Sequence, residues 1–177
     1  MKLFGINEFG ARFPNAICGI ITLLVLFNMG RKLYDVKFGL IWAMAYCCSI
    51  LPFFYFKSGI IDPWFNLFIF IGIYYWILAY DSQKKNQIVF LVISAISVGL
   101  GVLTKGPVSV LVFGLVAGVL FLFNGLRLGM SWKNFLLFAC VLLLISGFWF
   151  LLQIANGNYN VVVDFIVYQV RLFKTTW

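Results

Sequence analysis

The 177-residue sequence predicts an all-α fold, a polytopic membrane helix bundle of about six transmembrane helices. Hydrophobic residues make up 64% of the chain and charged ones 10%, whereas soluble proteins average roughly 45–50% apolar. Uncharged runs of about 17 to 21 residues recur, each long enough to cross roughly 30 Å of hydrocarbon as a helix. The runs are continuous rather than alternating. A membrane β-barrel, built from segments of about ten alternating residues, does not fit them.

The runs occupy residues 13–30, 38–56, 63–80, 86–104, 106–126 and 134–154. The first follows a charged start, but Glu8 and Arg12 interrupt it and no small-residue cleavage site follows, so it reads as a permanent span rather than a signal peptide. Pro52 falls late in the second and interrupts its ladder. The third opens at Asp62-Pro63, with the carboxylate as N-cap, proline in the first turn and Asn66 extending a polar stripe one turn on. The fourth ends at Lys105-Gly106-Pro107, which breaks the helix beside the charge. Ser97 with Gly101 in the fourth run, and Gly114 with Gly118 in the fifth, have the small-xxx-small spacing of helix contacts, read here as contacts within the chain. Trp64, Trp76, Trp132, Trp149, Tyr74, Tyr75 and Tyr80 lie near span ends, as an aromatic belt would.

The formal charge of +8 does not point to nucleic acid, because the basic residues punctuate the spans instead of sharing one soluble face. Arg31, Lys32 and Lys37 fill one connection, Lys84 and Lys85 another, Arg127 and Lys133 a third. The positive-inside rule assigns these loops to the cytoplasm. Asp62, Lys105 and the closing polar segment with Asp164, Arg171 and Lys174 then share the outer side of the cell membrane, together with the mixed charges Lys2, Glu8 and Arg12. Cys18, Cys47, Cys48 and Cys140 lie in apolar runs and read as small hydrophobes, with no disulfide inferred. Without histidine or a CxxC pair, a thiolate or imidazole metal cluster has no ligands, which leaves carboxylates alone.

Asp62 and Lys105 are the candidate functional residues. A charge at bilayer depth costs from about 2.5 kcal/mol upward and normally faces a watery cavity or a partner. The structural alternatives are a plain helix cap for Asp62 and a snorkelling side chain for Lys105. Against the second stands the KGP break, which frees backbone groups tolerated at depth only inside protein or beside water. A lysine at one helix end and the N-terminus of the next together suit a phosphate or a carboxylate.

The ordered segments NEFGARFPNAICGI, GRKLYD, SGIIDPWFNLF and GLGVLTKGPV resemble the lipid-dependent GT-C glycosyltransferases related to aminoarabinose transferases and protein O-mannosyltransferases. The resemblance runs over nearly the whole chain. It implies a polyprenyl-phosphate-linked sugar donor, a lipid, glycan or protein acceptor, and transfer on the extracytoplasmic side of the inner membrane. Asp62 matches the family's second acidic position, as a catalytic residue. Lys105 matches its TKGP lysine, as a substrate-binding residue, and Arg171 in DFIVYQVRLFKTTW corresponds more loosely. Family members begin with a further span and a loop bearing the first acidic motif, so residues 1–177 are expected to form a partial GT-C module without that span or the family's C-terminal region. No cofactor is required by these residues. A divalent ion, if the complete enzyme uses one, would need the additional acid. The competing readings are a small transporter or channel subunit, with Asp62 and Lys105 on a substrate or proton pathway, and a noncatalytic membrane scaffold.

Overall fold

A computed structural model describes residues 7–81, 84–123 and 131–174, all in helices and short connections. The elements are α1 (Glu8–Leu33), α2 (Val36–Cys47), α3 (Ile50–Lys57), α4 (Asp62–Asp81), α5 (Lys84–Lys105), α6 (Val108–Phe123), α7 (Trp132–Ala155) and α8 (Tyr159–Lys174). Lys2 and Arg127 from the charge pattern lie outside the described residues.

Among the described residues, four helices are long and apolar enough to cross a membrane, or up to five if α2 and α3 form one span. The chain is a multi-pass membrane protein. The expected count of about six spans therefore differs from the structure in two places. The second span is bent by 66° between α2 and α3. Its physical cause is Pro52, whose ring would collide with the carbonyl four residues back, at Cys48, if the helix continued. In α3 the proline instead occupies the first turn, where no N–H is needed, behind Ser49 in extended conformation. The other exception is α6, whose 16 residues span about 24 Å.

The starts of α1 and α2 are capped by side chains: Asn7 accepts from the Gly10 N–H at 2.7 Å, and Asp35 from the Phe38 N–H at 2.7 Å. The central pair is α4 with α5, antiparallel along its length. At one end the Gln87 amide donates to the Ala79 carbonyl at 3.0 Å; midway the Ser94 hydroxyl donates to the Gly72 carbonyl at 2.7 Å. Asp62 and Lys105 meet at the other end. Helix α7 packs on α5, α6 on α4 and α5, and α1 holds α2, α3 and α4. Leu91, Ala95 and Val98 of α5 are fully buried.

Close helix contacts use only part of the small residues expected, together with others. A Cβ at Gly39 would lie 2.6 Å from the Phe27 carbonyl oxygen, one at Gly72 2.7 Å from Val98, and one at Gly99 2.8 Å from Ile145. Gly101 does make a tight contact, against Ser109, but Gly114 and Gly118 meet nothing within 4 Å. Their face of α6 points away from the rest of the bundle. The aromatic belt is also only partial. Trp132 is exposed at the start of α7, whereas Trp76 is buried in the core, edge-on to Phe113 and Phe138 at 5.2 and 4.9 Å. Each such edge-to-face pair is worth about 0.5–1.5 kcal/mol beyond the area it buries.

Two ends of the bundle are thereby distinguished. One carries the start of α1, the α3–α4 and α5–α6 connections and the end of α7; the other carries Arg31, Lys32, Lys37 and Lys133.

Candidate site at the α4–α5 end

Asp62 is the first residue of α4 rather than its cap: the Phe65 N–H bonds to the Ile61 carbonyl, which places Ile61 in the capping position. A carboxylate in a first helical turn is favoured by the helix dipole. Lys105 closes α5, where its charge complements the opposite dipole end. The helix stops there because Gly106 adopts φ 70°, a left-handed conformation open to glycine, while its N–H bonds back to the Val102 carbonyl at 2.7 Å. Pro107 then precedes α6, and its carbonyl accepts from the Leu111 N–H at 3.1 Å.

These two helix ends bring Asp62 and Lys105 into a direct ion pair across 43 residues of sequence. Their side chains are 28% and 38% exposed, so the pair is neither sealed in the core nor free in solvent. The ammonium also lies 5.2 Å from the ring centroid of Phe65 on the turn below, a cation–π contact. Lys105 thus has two specific neighbours, the Asp62 carboxylate and the Phe65 ring. Asn66, expected to prolong the polar stripe, instead lines a separate cavity of about 370 Å³ with Thr22, Trp42, Tyr46 and Tyr55.

The turn bearing Lys105 has a second role as the wall of an apolar groove. Val102, Pro107, Val110, Leu142, Trp149 and Phe165 line it, and its volume is about 710 Å³. Its walls come from α5, α6, α7 and α8. Phe165 holds α8 against α7 by contacts of 5.6 Å with both Trp149 and Phe150. Arg171 is exposed on α8, whose helix packs on α7 alone among the described elements. It is not brought into the Asp62–Lys105 pair.

Three contributors to this end were not singled out by sequence reasoning. Phe65 looks like any apolar residue of a span. Ser109, fully buried against Gly101 behind the KGP turn, has a hydroxyl without a hydrogen-bond partner. Asn15 is 4% exposed in α1 and reaches the α3–α4 connection. An asparagine inside an apolar run is itself a signal, because a buried amide must find partners.

The side chains do not fit a divalent ion. The site offers one carboxylate, already held by an ammonium, and the described residues contain no group of three His, Cys, Asp or Glu side chains placed to hold a metal.

The family profile of dolichyl-phosphate-mannose-protein mannosyltransferases matches residues 1–150. The chain belongs to this family. The match contains Asn15, Asp62 and Lys105, while Arg171 lies beyond it. An uncharacterized protein of Aquifex aeolicus is 32% identical over 157 residues, covering 86% of this chain and 30% of that protein. The undecaprenyl phosphate-alpha-4-amino-4-deoxy-L-arabinose arabinosyl transferase of Wigglesworthia glossinidia brevipalpis is 27% identical over 114 residues, covering 62% of this chain and 20% of that protein. The chain thus spans less than a third of the length of these relatives. No solved structure matches it significantly.

Proposed function

We propose that the chain serves in a membrane glycosyltransferase of the GT-C type, which moves a sugar from a polyprenyl-phosphate carrier to a hydroxyl of a lipid, glycan or protein. The Asp62–Lys105 pair beside an apolar groove carries this reading: the groove suits an isoprenoid chain and the ammonium suits its phosphate. Membership of the mannosyltransferase family and the aminoarabinose transferase relative support the same chemistry.

In the proposed reaction the acceptor oxygen attacks the anomeric carbon as the bond from that carbon to the phosphate oxygen breaks. The bonding electrons leave with the phosphate, and the acceptor proton passes to the Asp62 carboxylate. Lys105 stabilises the charge that grows on the departing phosphate. Before donor binds, the two residues neutralise one another. An arriving phosphate competes for the ammonium and releases Asp62 to act as base, which couples general-base readiness to donor occupancy. Arg171, six residues along α8 from the groove-lining Phe165, is assigned the weaker role of a further phosphate contact. The basic clusters at the opposite end of the bundle favour an extracytoplasmic site in the inner membrane.

The test uses a polyprenyl phosphate with a photoactivatable group in its isoprenoid chain, in membranes containing the protein. Labelling is expected on the groove walls of α6 and α7, reduced about tenfold by Lys105→Met, the loss of one charge-assisted contact, and abolished by Val110→Trp. Sugar transfer from the glycosylated carrier should fall with both Lys105→Met and Asp62→Asn. Equal labelling by the unphosphorylated polyprenol, insensitive to either Lys105→Met or Val110→Trp, would refute the reading. Ion flux through the protein without lipid labelling would favour a transporter.

A further inference from the structure

We infer that Asn15 is a positioning residue for Asp62, acting from α1 through the backbone of the α3–α4 connection; the functional part of this inference rests on the reading of the Asp62–Lys105 pair given above. The Asn15 amide nitrogen has two hydrogens, and it donates to two carbonyls, those of Ser58 and Ile60, each at 2.6 Å. Ser58 caps the C-terminus of α3, its own N–H bonded to the Phe54 carbonyl. Ile60 is two residues before Asp62, and the next carbonyl, that of Ile61, opens α4 by accepting from Phe65. A single side chain therefore ties the exit of one helix to the entry of the next.

The sequence of α1 makes this approach sterically feasible. Ala11, Asn15 and Gly19 recur every fourth residue and share one face of the helix. A Cβ at Gly19 would meet the Phe56 ring at 3.0 Å, and one at Gly59 would come to 3.7 Å from the Ala11 carbonyl oxygen. Small residues above and below let the connection lie flat on α1, and the asparagine between them supplies a side-chain donor to each of these two carbonyls. The connection has no helical ladder of its own between Ser58 and Ile61. Without the amide, the segment keeps its covalent path but loses the anchor that sets where the first turn of α4 begins, and with it the direction of the Asp62 carboxylate towards Lys105.

A zero-length carbodiimide provides a geometric readout that does not depend on catalysis. It condenses a carboxylate with an amine in direct contact to an amide, the lost water passing to the carbodiimide as it becomes a urea, and mass spectrometry detects the Asp62–Lys105 linked peptides. The full chain should give this product in membranes. Asn15→Leu, with the same branching and number of side-chain heavy atoms but without donors, should lower its yield about tenfold, since the coupling requires both groups to be held together. Asn15→Gln, which keeps both amide hydrogens, should recover part of the yield. In transfer assays Asn15→Leu should lower kcat about tenfold or more while leaving the donor KM within about twofold, the pattern of a lost alignment.

Wild-type coupling yields in both variants would overturn the inference. So would collapse of folded protein in both, which would assign Asn15 to assembly of the helices. Loss of coupling in Asn15→Leu with full sugar transfer would uphold the positioning role and refute the catalytic role of the pair. Absence of the linked peptide in the wild-type protein would refute the pair itself and the positioning role with it.

Discussion

Lys105→Met should destabilise the protein more than Asp62→Asn, and combining the two should cost less than Lys105→Met alone. Removing one partner of a fully buried pair typically costs about 3–5 kcal/mol, because the other charge is stranded. A fully exposed pair is worth about 0–1 kcal/mol. With side chains 28% and 38% exposed, Asp62 and Lys105 fall between these limits, and screening by solvent brings the expected cost of Lys105→Met to about 1–3 kcal/mol. Loss of the contact with Phe65 adds about 0.5–1 kcal/mol. Asp62→Asn is milder: its amide oxygen still accepts from the ammonium, and Lys105 keeps Phe65 below it, so about 1 kcal/mol or less is expected. In the double variant no unpaired carboxylate remains, and the coupling term should be about 1–2 kcal/mol in the stabilising direction. Denaturation by increasing sodium dodecyl sulfate in mixed micelles, followed by circular dichroism, measures all four proteins. Since about 1.4 kcal/mol is tenfold in an equilibrium constant, Lys105→Met should shift the folded-to-unfolded ratio by about ten- to several hundredfold. A Lys105→Met protein as stable as wild type, or single effects that simply add, would refute the argument that the two charges depend on each other.

Two further outcomes test the topology and the helix contacts. Single cysteines introduced at Lys37 and Lys133 in a cysteine-free background should resist an impermeant thiol reagent in intact cells, while one at Gly59 should react; the reverse pattern would invert the orientation and move the Asp62 end to the cytoplasm. Gly39→Ala should cost about 1–3 kcal/mol, as its Cβ is forced against the α1 backbone, whereas Gly114→Ala, with open space around it, should be neutral or improve stability by up to about 1 kcal/mol. Equal loss in the same denaturation assay would show that the α6 face is packed after all.

Several features of the bundle were legible in the sequence because they are local. The long apolar runs, the break before Pro52 and the stop at Lys105-Gly106-Pro107 depend on residues within one helical turn of each other. Ring geometry, a missing N–H and a left-handed glycine act on the chain wherever it sits. The two charges also stood out singly, since an ionisable residue joined to long apolar sequence is costly in any arrangement.

The sequence by itself thus determined that the chain crosses a membrane, that its helices are interrupted near Pro52 and at Lys105-Gly106-Pro107, and which charged residues needed an explanation. Only the tertiary structure decided that Asp62 and Lys105 explain one another, that Asn15 reaches Ser58 and Ile60, and that Gly39, Gly72 and Gly99, rather than Gly114 and Gly118, allow helices to approach. The physical reason is that lipid tails are as apolar as a neighbouring helix, so a span can be hydrophobic on every side and its composition does not mark which side meets protein. Helix partners are then chosen by shape and by the few polar groups that must be satisfied, and both depend on how helices distant in sequence cross.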